Sequence, residues 1–228
     1  MKIRAKYTKL GYLKYLSHLD LIRLFNRSFT RSNIPVKYSE GFNPHPKLSL
    51  GNPLPLGIES VCEYFDLELI EPISPQEFKN KLNEILPTGI EIVESYGIDE
   101  MTPSISSTMC KSEYEILVDT LNSGDEIDYY LEINELLGLK NIDIEKKKKK
   151  GKSKITTIVN IRPFIFKLSV ENICGNTIRL NTIVMTGEQG NVKPIELLEA
   201  INKNTKIRLD LDSFEAKKIE TYSQEFEG

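Results

Sequence analysis

The chain has 228 residues, of which 39% are hydrophobic and 28% are charged, and its formal net charge is −3. This composition is that of a globular protein with one domain or two small ones, and no apolar run approaches the about 20 residues that a membrane-spanning helix needs. The charge is unevenly spread, since residues 1–60 hold ten Lys and Arg against three Asp and Glu, whereas residues 61–145 hold four against twenty. A basic first segment on an acidic protein favours a partner that carries phosphates.

The cysteines and the start of the chain exclude several further classes. The three cysteines, Cys62, Cys110 and Cys174, are far apart and form no Cys-x-x-Cys spacing. We therefore expect no disulfide framework, no metal and no cofactor bound by this chain alone. Residues 1–4 alternate apolar and polar side chains, which indicates a strand and not a signal peptide, so we expect a cytoplasmic protein.

The first 96 residues predict one α+β domain. Strands are predicted from alternating apolar side chains, and helices from apolar spacing that follows the capping serines Ser17 and Ser74. The predicted strands cover residues 2–10, 36–39, 61–69 and 90–96, and the predicted helices lie near residues 17–32 and 75–86. The order βαββαβ is typical of a ferredoxin-like sandwich with both helices on one face of the sheet.

The rest of the chain predicts a linker and a second domain. Residues 97–111 are poor in large apolar side chains and are interpreted as the linker. Residues 112–228 predict a second, elaborated ferredoxin-like α+β unit, with a helix over residues 124–137 that Ser123 caps. The five lysines Lys146–Lys150 lie between two predicted strands and indicate a hairpin tip. That tip is either a solvated charged turn or a finger that grasps phosphate.

The predicted helix near residues 17–32 carries three arginines at four-residue spacing, Arg23, Arg27 and Arg31. This spacing places them on one face of the helix, where guanidinium groups can follow a phosphate backbone. The loop that follows contains two prolines and a glycine, which restrict its shape. The candidate nucleic-acid-binding residues are Arg23, Arg27, Arg31, Lys37, Phe42, His45 and Lys47. Candidate surfaces for stacking of unpaired bases are Tyr12, Tyr15, Tyr38 and Phe42.

The two histidines, His18 and His45, leave an enzymatic alternative open. His18 is predicted at a helix start, where the helix dipole favours the neutral imidazole, so it could act as a general base with His45 as its partner. This pair would make a metal-independent ribonuclease. The simpler interpretation is that His18 hydrogen-bonds near the helix start and His45 braces its loop, because no third catalytic group stands at a defined spacing. We therefore expect no catalytic residue.

Several segments of the chain resemble the bacterial radical-SAM-associated domain family of unknown function. These are small proteins encoded beside, or fused to, cobalamin-binding radical-SAM proteins. The resemblance covers nearly the whole chain and is carried by residues 15–20 with Arg23 and Arg27, and by residues 34–36, 38–47, 53–57, 160–163 and 192–194. The family often has histidine where this chain has Asn43, and aspartate where it has Asn160. These two differences count against proton transfer at those positions.

The resemblance implies a functional link to a radical-SAM enzyme in RNA modification. The leading hypothesis is a non-catalytic accessory protein that binds RNA or presents a substrate to such an enzyme. The three isolated cysteines agree with this, since the chain has no ligand set for the enzyme's iron–sulfur cluster. The alternatives are a ribonuclease that uses His18 and a protein–protein adaptor in which the Pro/Gly loop docks on the partner.

Overall fold

The structure is a computed structural model that describes residues 1–122, 127–150, 153–187 and 189–223, without the side chains of residues 147–150 and 153–155. The chain divides into two compact units. Unit 1 comprises residues 1–110 and the residues from 217 onward, and unit 2 comprises residues 111–216. The sequence predicts a linker over residues 97–111 and one domain over residues 112–228. In the structure, most of the last strand groups with unit 1 instead.

The elements are numbered here in chain order. Those of the first half are β1 (Lys2–Lys9), a 3-10 turn (Gly11–Tyr15), α1 (His18–Arg31), β2 (Leu48–Leu50), β3 (Glu59–Glu68), α2 (Pro75–Asn83), β4 (Ile92–Ile98) and a short helix, α3 (Ile105–Thr108). Those that follow are β5 (Met109–Asp119), α4 (Tyr129–Gly138), β6 (Asp143–Lys150), β7 (Ser153–Asn160), β8 (Ile165–Cys174), β9 (Thr177–Met185), α5 (Pro194–Asn204) and β10 (Glu215–Ser223). No helix among the described residues is long and apolar enough to cross a membrane.

The sheet of unit 1 is mixed, and its first six main elements follow the predicted order βαββαβ. Strand β1 lies between β4 and β3 and is antiparallel to both. Strand β2 is antiparallel to β3, and β10 joins β3 in parallel. The second strand was expected over residues 36–39, but there the chain makes only isolated bridges, such as Tyr38 with Pro46. Pro46 has no N–H to donate, so a regular ladder does not extend through this segment.

Both helices of unit 1 pack on one face of the sheet, as the sequence predicts. Ser17 and Ser74 cap the two helices, each accepting a hydrogen bond from the backbone N–H three residues on. The ring of Phe65 on β3 contacts Phe25 of α1, with 4.9 Å between ring centroids, and Phe78 of α2, at 6.3 Å. One buried residue on a single strand therefore meets both helices, which places them on the same face.

Unit 2 is built from a three-stranded antiparallel sheet and a separate hairpin. The strand order in the sheet is β5-β9-β8, and β6 pairs with β7. Helix α4 begins at Tyr129 and is capped by Asp128, whose carboxylate accepts from the Leu131 N–H at 3.0 Å. The start predicted for this helix, with Ser123 as its cap, lies outside the described residues. The lysines Lys146–Lys150 belong to β6, so the run is part of a strand and not the tip of the hairpin.

Candidate nucleic-acid interface

Helix α1 presents the three predicted arginines on its exposed side. Its apolar side is buried in the core of unit 1 through Leu21, Phe25 and Phe29. Arg23, Arg27 and Arg31 are exposed, and their four-residue spacing aligns them along the helix axis. The amphipathic pattern of the helix therefore determines which face is basic.

The three arginines line one groove. The groove has a volume of about 500 Å³ and lies between α1 and the segment that follows α2. Arg23, Arg27 and Arg31 form its basic side, while Ile85 and Pro87 contribute from beyond α2. The structure thus brings together three of the seven residues predicted to bind nucleic acid. Lys37, Phe42, His45 and Lys47 do not line this groove.

The arginines of the groove differ in how far their charge is neutralised. Arg23 Nη1 lies 3.0 Å from Asp20 Oδ1, and both side chains are exposed. The hydrogen bond from the Ser17 hydroxyl, together with that from Arg23, lowers the pKa of Asp20. Within the described part of the chain, no carboxylate lies within ion-pair distance of Arg27 or Arg31. These two guanidinium groups are therefore available to an anionic partner.

The Pro/Gly loop is closed by hydrogen bonds between its two ends. The Ser39 N–H donates to the His45 carbonyl at 2.8 Å, and the His45 N–H donates to Ser39 Oγ at 3.1 Å. Ser39 Oγ also lies 3.0 Å from His45 Nδ1. Gly41 has φ of 119°, a backbone conformation that favours glycine. The imidazole of His45 therefore braces the loop, and Phe42 at the loop's tip is fully exposed.

Lys37 and Lys47 share one carboxylate beside this loop. Glu68 Oε2 lies 3.0 Å from Lys37 Nζ and 3.6 Å from Lys47 Nζ. The hydrogen bond with Lys37 lowers the pKa of Glu68, and the same contact raises the pKa of Lys37. Because the negative charge of Glu68 lies beside both ammonium groups, the two lysines offer less unpaired positive charge to a partner than the sequence suggests.

His18 lines a cavity that is too small for a substrate. The cavity is about 10 Å³, the space of about one water molecule. Its lining includes His18, Tyr7, Lys9, Asn52 and Glu63. His45 does not line it, so the structure does not assemble the two histidines into one acid–base site.

Two charged residues that line this cavity, Lys9 and Glu63, were not singled out from the sequence. Lys9 is 2% exposed and donates from Nζ to the Leu16 carbonyl at 2.8 Å. Glu63 is also buried and forms an ion pair with Lys218. Burial lowers the pKa of Lys9, and burial with the nearby Glu63 charge raises the pKa of Tyr7. The odd-numbered series Ile3, Ala5, Tyr7 continues to Lys9, and this alternation was the signal for its burial.

Within the described ranges, no group of three or more His, Cys, Asp or Glu side chains is placed to hold a metal ion. The described residues of the groove and the loop offer charged, hydrogen-bonding and exposed aromatic side chains.

Comparison with solved structures defines the class of fold. One chain of the crystal structure of a Cbf5-Nop10-Gar1 complex is 10% identical to this chain, with a TM-score of 0.51 over 96% of this chain and 50% of the other. A chain of an H/ACA RNP bound to a substrate RNA containing 2'-deoxyuridine is also 10% identical, with a TM-score of 0.50 over 98% of this chain and 49% of the other. This chain thus spans about half the length of both solved chains. At such identity the similarity shows the fold alone, an α+β fold like part of Cbf5.

The sequence itself identifies the family. Residues 2–194 match the model of a family described as uncharacterized proteins conserved in bacteria, DUF2344. The chain belongs to this family. A search among curated proteins finds no match.

Proposed function

We propose that this protein is a non-catalytic accessory that binds RNA, or presents an RNA substrate, for a radical-SAM enzyme in RNA modification. The observation that carries the proposal is the groove along α1, where Arg27 and Arg31 have no carboxylate partner among the described residues. Guanidinium groups bind phosphate oxygens in pairs of parallel hydrogen bonds, so aligned arginines suit a nucleic-acid backbone. On this proposal, two ferredoxin-like units form the scaffold that presents the groove.

Two further points support an RNA-related role. The fold resembles a chain from an H/ACA RNP that was solved with a substrate RNA, although a fold can serve unrelated functions. The resemblance of residues 15–20 and 38–47 to radical-SAM-associated proteins supports the enzyme partner. The adaptor alternative rests on Phe42, whose full exposure at the tip of a braced loop suits docking on a protein.

Removing the two unpaired arginines tests the groove directly. The double variant Arg27→Ala/Arg31→Ala should bind single-stranded RNA about tenfold more weakly than the wild type, because each arginine contributes a phosphate contact. The slope of log K against log salt should flatten by about 1.4, which corresponds to two lost contacts at about 0.7 each on single strands. Fluorescence anisotropy with a labelled oligonucleotide at several salt concentrations measures both quantities.

A charge-matched control separates the groove from general electrostatics. Lys167 and Arg179 are exposed in unit 2 and lie outside the groove. The variant Lys167→Ala/Arg179→Ala should keep the wild-type affinity and slope. Equal losses in the two double variants, or an absence of RNA binding at low salt, would contradict the proposed groove. Cleavage of the oligonucleotide that disappears in His18→Ala would favour the ribonuclease alternative.

The role of Lys37 and Lys47 can be tested by removing the carboxylate that they share. Glu68→Gln should strengthen RNA binding several-fold and steepen the salt dependence by about 0.7 for each lysine that then reaches a phosphate. The same titration measures it, and Glu77→Gln is the matched control because Glu77 pairs with Lys81 on the surface of α2. An unchanged salt slope in Glu68→Gln would remove the two lysines from the predicted interface.

A further inference from the structure

The 3-10 turn Gly11–Tyr15 exposes two aromatic side chains and leads along the chain into the arginine groove. Tyr12 is 93% exposed and Tyr15 is 62% exposed. Leu16, the residue after the turn, lines the groove together with Arg23. The two tyrosines and the arginines of α1 therefore belong to consecutive segments of unit 1.

The backbone of this turn is held at both of its ends. Before the turn, the Leu10 N–H donates to the Gly89 carbonyl at 2.8 Å. Gly89 has φ of 101°, and a Cβ atom placed there would lie 2.6 Å from the Leu10 carbonyl oxygen. After the turn, the buried Lys9 ammonium binds the Leu16 carbonyl. A turn fixed in this way offers its side chains with little ordering cost on binding.

The ring of Tyr15 is supported from the stiff segment of residues 53–57. The Gly57 N–H donates to the Lys14 carbonyl at 3.1 Å. A Cβ atom at Gly57 would lie 3.7 Å from Tyr15 Cε1, so the ring lies against this glycine. Lys14 Nζ lies over the same ring, 5.5 Å from its centroid. When the lysine side chain turns away from the ring face, the exposed ring can stack on a base, and the ammonium group can attract the phosphate that follows.

From this geometry we infer that the turn is a stacking platform for unpaired bases, which makes the basic surface selective for single-stranded over double-stranded RNA. The inference rests on the proposed RNA-binding function. Bases in a duplex are stacked on one another, and only unpaired bases can stack on aromatic side chains. Tyr12 and Tyr15 would engage bases while Arg23, Arg27 and Arg31 follow the backbone.

Charge favours RNA over a protein as the occupant of this platform. The side chains of Leu19, four residues after Tyr15, and Leu56, next to Gly57, are both 63% exposed, and a protein could also cover such apolar side chains. However, the only charged residue of the turn is Lys14, and Leu16 after the turn lines the groove that holds the three arginines of α1. A polyanion with unpaired bases matches both the charge and the exposed rings.

The test compares substitutions that keep or remove the aromatic ring. We expect Tyr12→Leu/Tyr15→Leu to lose about tenfold in affinity for a single-stranded oligonucleotide of about ten residues, because stacking on aromatic side chains is lost. Affinity for the duplex of the same sequence should be unchanged. Tyr12→Phe/Tyr15→Phe keeps both rings and should bind like the wild type. Anisotropy titrations with both RNA forms give these affinities.

Matched controls separate failure of this inference from failure of the proposed function. Tyr96 and Tyr130 are exposed tyrosines outside the groove, and Tyr96→Leu/Tyr130→Leu should leave binding unchanged. If the wild type binds no RNA even at about 50 mM salt, both proposals fail. If Arg27→Ala/Arg31→Ala weakens RNA binding but Tyr12→Leu/Tyr15→Leu does not, the stacking platform is overturned and the proposed function stands. Equal wild-type affinity for single strand and duplex also overturns the platform, which would then be a surface for a protein partner.

Discussion

Replacing Phe65 by alanine is expected to lower the free energy of unfolding by about 3–5 kcal/mol. The side chain is fully buried, and its ring has four other rings with centroids 4.9–6.3 Å away, those of Phe25, Tyr7, Phe29 and Phe78. Truncation would remove the contacts that this ring makes with α1 and α2 and leave a cavity there. Equilibrium unfolding in urea, followed by far-UV circular dichroism, measures the loss.

The chain offers a control with the same chemistry and no burial. Phe42→Ala removes an identical ring from the fully exposed tip of the Pro/Gly loop. Its unfolding free energy should stay within about 0.5 kcal/mol of the wild-type value, as is usual for surface substitutions. A loss below about 1 kcal/mol for Phe65→Ala would contradict a core centred on this ring.

Replacing Asp66 by alanine should destabilise the protein by about 3–5 kcal/mol, because it leaves a buried guanidinium group without its carboxylate. Arg4 donates to Asp66 from Nε at 2.7 Å and from Nη2 at 3.0 Å, and both residues are buried. Asp66 also accepts a hydrogen bond from the Ile105 N–H at 3.0 Å, so it ties α3 to the sheet. The same urea titration measures the effect.

Burial, and not pairing as such, should determine the size of this effect. Asp20→Ala breaks the ion pair with Arg23 on the exposed side of α1, where solvent screens both charges, so we expect a much smaller loss than for Asp66→Ala. The double substitution Arg4→Met/Asp66→Leu should recover much of the stability that Asp66→Ala loses, since neither member of the buried ion pair then remains without the other. Equal losses for Asp66→Ala and Asp20→Ala would refute the argument from burial.

Local signals in the sequence were sufficient to place the helices of unit 1. Helices α1 and α2 were predicted to within a few residues. The signals were a capping serine at the start of each helix and the apolar side chains at helical spacing that follow it. The second strand was misplaced, because Val36 and Tyr38 alternate like strand residues although Pro46 prevents a regular ladder opposite them. The β-propensity of a segment depends on its own residues, whereas a strand forms only where a second segment of the chain can pair with it.

The candidate interface was predicted in part. Four-residue spacing is enough to put Arg23, Arg27 and Arg31 on one helix face, since helix geometry is local. That this face borders a groove depends on Ile85 and Pro87, which approach α1 only through the packing of α2. Glu68 lies on β3 and pairs with both Lys37 and Lys47. The sequence around the two lysines therefore did not reveal that their positive charge is partly neutralised.

The sequence by itself determined helices α1 and α2, the basic face of α1 and the restricted shape of the Pro/Gly loop, because capping, periodicity and proline act between residues close along the chain. Only the tertiary structure decided which charged groups pair with one another. Lys9 and Glu63 come to line one small cavity, and Gly89 and Gly57 support the turn that carries Tyr12 and Tyr15. These arrangements join residues dozens of positions apart, and no local pattern specifies such distances.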